Sequence, residues 1–125
     1  MPDYRIRIIA GRISTTATLS ANRTARAIWN ALPFEGNAKH WGDEMYFEVP
    51  VDLAEDESQE EVAIGDVAYW PPGNAVCIFW GPTPASHGNE PRAASAVNVF
   101  AHIASSARDF AQVKGGTLVR LERLP

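Results

Sequence analysis

Few residues in this chain are chemically equipped, and they are scattered along it. Cys77 is the single cysteine, so an intramolecular disulfide and a cysteine-rich metal site are both excluded. It stands between Val76 and Ile78 in the most apolar run, with no cationic neighbour to lower its pKa, so an inert buried thiol is expected. His40, His87 and His102 share no HxH or HxxxH spacing, and neither a metal site nor a cofactor is expected. Asp52 to Glu61 carries six carboxylates and no basic residue. It lacks the glycine and the fixed ligand offsets of a calcium loop and reads as a solvated acidic loop.

What remains suits holding a ligand better than transforming one. Trp41, Trp70 and Phe79 offer flat apolar area, and Glu44 and Tyr46 place a carboxylate and a phenol two residues apart on one face of an alternating run. Arg92, Ser95 and Asn98 add a guanidinium, a hydroxyl and an amide that suit a peptide carbonyl or a carboxylate. A plainer role for Ser95 and Asn98 is to satisfy backbone groups at a strand start. These eight residues are the candidates for a binding groove, and no catalytic residue can be named.

The elements that must position them are mostly strands. Tyr4, Ile6 and Ile8 alternate with arginines, and Ile13 to Leu19 alternate again after Gly11-Arg12, which predicts an opening hairpin. Asn22 or Thr24 can cap a short helix with Ala27, Ile28, Ala31 and Leu32 on one face, ended by Pro33. Met45, Phe47 and Val49 oppose Glu44, Tyr46 and Glu48 in a strand with one core face. Val62 and Ile64 before Gly65-Asp66, with Val67 and Tyr69 after it, predict a second hairpin. Pro72-Gly73 predicts a type II turn with positive φ at Gly73, leading into Ala75 to Trp80, a strand either covered on both faces or running through the centre of a barrel. Ala85 to Ala94 reads as a long exposed loop. Residues 96–113 fit either one long helix or, as preferred here, a strand to Ile103 followed by a short helix from Ser106 to Ala111. Thr117 to Leu124 is expected to pair with the first strand.

A chain of 125 residues is sized for one domain, here residues 1–125. Its net charge of −4, without a Lys/Arg run, argues against nucleic acid. No apolar run reaches membrane-spanning or signal length, so a cytoplasmic protein without a membrane partner is expected. Oligomeric state is left open.

The segments GDVAYWPPGNAVCIFWGPTP, WGDEMYFEVPV and ASAVNVFAHI closely resemble a family of short prokaryotic cyclophilin-like proteins of unassigned function, and the similarity runs from about Tyr4 to Leu121. The resemblance implies a mainly β fold, a closed cyclophilin-like β-barrel with one or two short helices. Ser95 and Asn98 fall in SAVN, which matches the family motif. Larger cyclophilins isomerise prolyl bonds with an arginine in a phenylalanine-histidine-arginine run. This chain lacks that run, and only Arg92 is left to substitute for it. The expectation is therefore a binding module for a small molecule or an extended peptide. The alternative is a peptidyl-prolyl cis-trans isomerase with a non-standard active site.

Overall fold

The computed structural model describes residues 4–125; residues 1–3 of the single domain expected above lie outside it. Charged–apolar alternation makes β1 (Arg5–Ala10) and β2 (Ile13–Leu19) a hairpin, and Gly11 takes φ +61° at its turn. The helix α1 (Arg23–Ala31) follows. Asn22 caps it by accepting from the Ala25 N–H (2.8 Å), and its Nδ2 donates to the Val99 carbonyl (2.9 Å), which ties the helix start to a distant strand. Its buried residues are Thr24, Ala25 and Ile28, so the expected stripe is rotated: Ala27 is half-buried and Ala31 exposed.

Eight further strands complete the sheet: β3 (Phe34–Asn37), β4 (Lys39–His40), β5 (Glu44–Glu48), β6 (Gln59–Glu61), β7 (Asp66–Trp70), β8 (Ala75–Phe79), β9 (Arg92–His102) and β10 (Leu118–Arg123). Their order is β3-β10-β1-β2-β9-β7-β8-β5-β4, with β6 attached to β9. β10 pairs with β1 as expected. Hydrogen bonds do not close the sheet into a barrel: β3 and β4 end the path, and among the described residues no ladder joins them. The sheet nevertheless curls until β3 meets β5, because Gly36 has no side chain there. A Cβ on it would stand 2.2 Å from the Glu48 carbonyl oxygen.

Two expected turns differ. Val62 and Ile64 do not pair with β7; β6 lies on β9, Gly65 donates to the Phe79 carbonyl, and Ile64 is left exposed. Burial of Val62 in a small outer apolar cluster takes precedence over the local hairpin pattern. At the diproline, Pro71–Gly73 form a 3-10 turn and it is Asn74, at φ 48° and ψ 48°, that takes the left-handed conformation. Asparagine tolerates this region, and its side-chain amide donates to the Val51 carbonyl (3.2 Å).

Alternation along β5, β7 and β8 divides the side chains between two layers. Met45, Phe47, Val67, Tyr69, Val76 and Ile78 enter the main core, which α1 also joins through Ala25 and Ile28. Ala68, Cys77 and Phe79 point to the opposite face and form the outer cluster with Val62, Ala93 and Val97. β8 is therefore covered on both sides, as expected of its apolar run. β9 runs to His102 and a 3-10 turn covers Ala107–Gln112, so the strand-then-helix alternative for residues 96–113 holds. A register shift of one residue against β7, between Val67↔Ala101 and Ala68↔Val99, places both Phe100 and Ala101 in the main core.

Candidate functional site

The outer cluster is not sealed. Above it opens a concave pocket of about 250 Å³, lined by Trp41, Glu44, Tyr46, Trp70, Cys77, Ala93, Ala94 and Val97. At about 30 Å³ per water this is room for roughly eight waters. Four elements supply the lining. Glu44 and Tyr46 come from the outward face of β5, Trp70 ends β7, Cys77 lies on β8, and the small residues Ala93, Ala94 and Val97 of β9 leave the space that larger side chains would fill. Trp41 precedes the tight turn into β5, where its N–H donates to the Glu44 carbonyl (3.0 Å). The Trp70 indole Nε1–H donates to the Ser95 hydroxyl (2.8 Å), which holds the ring in place.

Glu44 is the unusual member. Only 5% of the residue is exposed, yet it lines the cavity, and burial raises its pKa from 4.5 to about 7. The Cys77 thiol hydrogen-bonds the carboxyl and partly offsets that rise. Burial first, and then the neighbouring Glu44, push the Cys77 thiol well above its ordinary range. The thiol stays protonated and serves as a donor rather than a nucleophile.

The structure brings together four of the eight groove candidates, Trp41, Glu44, Tyr46 and Trp70. Phe79 lies one layer down, fully buried in the outer cluster beneath the pocket. Ser95 touches the site through Trp70. Asn98 faces away from it. Its Oδ1 accepts from the Asp56 N–H (3.0 Å), and its Nδ2 donates to the Ala54 carbonyl (3.0 Å) and the Thr24 hydroxyl (3.2 Å). That amide pins the acidic loop and α1 to β9. From the core, Tyr69 ties residues 51–53 at the start of that loop to β7, donating to the Val51 carbonyl (2.5 Å) and accepting from the Leu53 N–H (3.1 Å).

Arg92 is engaged elsewhere. Its guanidinium meets Glu90 (3.1 Å), Glu61 (3.3 Å) and Glu60 (3.7 Å), and it is not among the pocket-lining residues. Glu90 in turn accepts from the His87 and Gly88 N–H groups (2.8 Å each); these bonds, His87 foremost, hold its carboxyl down at about 2. The segment read as a long exposed loop is thus a tightly bonded hook leading into β9. Cys77 is lining that the chemical argument from sequence passed over; the signal was the alternation Val76/Cys77/Ile78/Phe79, which sets Cys77 on the face opposite Val76. The contributions of Ala93, Ala94 and Val97 had no signal, because small residues announce a cavity only once their neighbours are placed.

The histidines lie outside the pocket lining. His40 Nε2 lies 2.6 Å from the Val113 carbonyl, His102 pairs with Asp66 (3.1 Å), and His87 is exposed. Among the described residues no three His, Cys, Asp or Glu side chains converge as a metal site, and no helix is long and apolar enough to cross a membrane.

A family model described as cyclophilin-like matches residues 4–122. The fold is similar to the solution structure of a hypothetical protein from Archaeoglobus fulgidus, with 40% identity over 98% of this chain and 95% of that one and a TM-score of 0.83. No curated protein matches.

Proposed function

We propose that this chain, which belongs to the cyclophilin-like family, is a binding module whose ligand is a small molecule or a side chain of an extended peptide, held in the pocket above β5, β7, β8 and β9. The observation that carries the reading is the pocket itself: three aromatic side chains and one buried carboxyl, from β5, β7 and the turn before β5, converge around a preformed space. A fold alone does not imply an activity, so the site has to bear the argument.

Prolyl isomerisation finds less support. Among the described residues no basic side chain lines the pocket, and the Arg92 guanidinium faces three carboxylates instead. A reaction that must lower a barrier of about 18–20 kcal/mol would have no cation over its substrate amide.

The test is a two-dimensional NMR titration of labelled protein with a library of small polar and aromatic fragments, and separately with an Ala-Pro peptide. The expected result is a response of the Trp41 and Trp70 indole signals to some fragments, with prolyl exchange at its uncatalysed rate. Fragments that shift only residues remote from the pocket would refute the binding reading. Prolyl exchange accelerated by the protein and lost in Arg92→Ala would replace it with the isomerase.

A further inference from the structure

Taking the pocket to be a binding site, as above, we infer that its ligand is a small organic ammonium ion, with the cationic head between the Glu44 carboxylate and the faces of Trp41, Tyr46 and Trp70. Glu44 is 95% removed from solvent by its 5% exposure, yet its carboxyl borders empty space rather than a basic side chain. Its side-chain partner on the protein is the Cys77 thiol, a weak donor. A buried carboxylate without a cation is costly, and that cost falls when a ligand brings the charge. Aromatic faces attract cations through their quadrupole, most of all tryptophan, and the pocket holds two tryptophans and a tyrosine. An anionic ligand would meet the carboxylate directly, and a purely apolar one would leave it unpaired. The volume of about 250 Å³ holds a whole small ion, so a free ion is assigned rather than a lysine side chain of a protein.

Such a ligand couples binding to pH. Burial raises the Glu44 pKa to about 7 in the empty pocket and a bound cation favours its ionised form, so association at pH 7, where about half of Glu44 is protonated, releases about half a proton. The groups that face Glu44 leave this coupling to it. On β8 Cys77 stays protonated, and on its own strand stands the Tyr46 phenol; Trp70 on β7 and Ala93, Ala94 and Val97 on β9 carry no charge. On the paired strand β4, Lys39 lines a separate cavity with Glu35 and Glu48 and the His40 ring is bonded to the Val113 carbonyl; Asp43, the chain neighbour of Glu44, packs against Gly81, and Arg92 is held by its own carboxylates. The ionised fraction of Glu44 rises about tenfold from pH 6 to pH 8, and affinity for a permanent cation rises with it.

The experiment titrates labelled protein with choline and with its neutral carbon isostere 3,3-dimethylbutan-1-ol at pH 6, 7 and 8, reading the Trp41 and Trp70 indole signals. A peptide bearing trimethyllysine is a third arm. Choline is expected to bind about tenfold more tightly at pH 8 than at pH 6, and at pH 8 at least tenfold more tightly than the isostere. Glu44→Gln is expected to lose the pH dependence and to keep only the smaller preference for choline that the aromatic faces supply. An isostere that binds wild-type protein as well as choline overturns the charge assignment while leaving the pocket as a binding site. Silence of both indole signals with every probe removes the pocket reading as well. A trimethyllysine peptide that binds more tightly than choline overturns the assignment of a free ion. The pH series on unaltered protein needs no variant to fold.

Discussion

Replacing Glu44 with glutamine tests the electrostatics of the pocket without any ligand. The glutamine side chain has the shape of a protonated glutamic acid and carries no charge at any pH. In the folded protein burial holds the Glu44 proton until about pH 7, whereas in the unfolded chain the carboxyl ionises around 4.5. Between those values the native state binds more protons than the unfolded state, so wild-type stability falls as pH rises. At 1.36 kcal/mol per pH unit the loss reaches about 3 kcal/mol and levels off above pH 7. Below pH 4.5 both states are protonated and the variant should match wild type to within about 1 kcal/mol. By pH 8 the variant should be the more stable by about 3 kcal/mol. Urea unfolding followed by tryptophan fluorescence at several pH values gives the difference curve, in which titrations common to both proteins, including that of Glu90, cancel. A flat difference curve would refute the account, and a wild type that gains on the variant with rising pH would mean that the protein already supplies Glu44 with a cation.

Three further outcomes are expected. Asn98→Ala removes three hydrogen bonds from a residue that is 1% exposed, at roughly 1 kcal/mol each. It should cost about 3 kcal/mol in urea unfolding and speed amide exchange at Asp56; unchanged exchange there would show that the tether does not hold the loop. Gly36→Ala puts a methyl 2.2 Å from the Glu48 carbonyl oxygen and should lower stability by about 2 kcal/mol, read from thermal unfolding. A neutral result would mean that β3 and β5 separate without cost. Cys77, buried and with its thiol pKa pushed up, should resist a thiol-specific disulfide reagent in native buffer and react at once in denaturant; rapid native labelling at neutral pH would contradict the burial described.

Strand identities were legible because period-two alternation is a local property. Arg5–Ala10, Ile13–Leu19, Glu44–Glu48 and Ala75–Phe79 each reveal their faces over a few residues. Asn22 as a cap and Pro33 as a stop were legible for the same reason. The hairpin across Gly65-Asp66 misled because its local pattern is sound; what overrides it is the burial of Val62 against residues of β8 and β9. At Pro71–Gly73 both Gly73 and Asn74 tolerate a left-handed backbone, and the sequence does not choose between them.

Of the four candidate groove residues that meet in the pocket, Glu44, Tyr46 and Trp70 lie opposite core residues on β5 and β7, and strand parity puts them on the outer face; Trp41 is brought there by the turn into β5. Arg92 and Asn98 have the right chemistry in the right neighbourhood and are committed to other partners. Arg92 faces Glu60, Glu61 and Glu90, and Asn98 binds Thr24, Ala54 and Asp56. The partner of a polar side chain is a long-range fact. Residue type and spacing determined which groups this protein can present, together with the two faces of each strand. Only tertiary structure decided which of those groups share a cavity, that Glu44 is buried without a cation, and that the sheet curls without a closing ladder. The reason is the same in each case: burial and ion pairing depend on distances between residues far apart in the chain, which local periodicity does not encode.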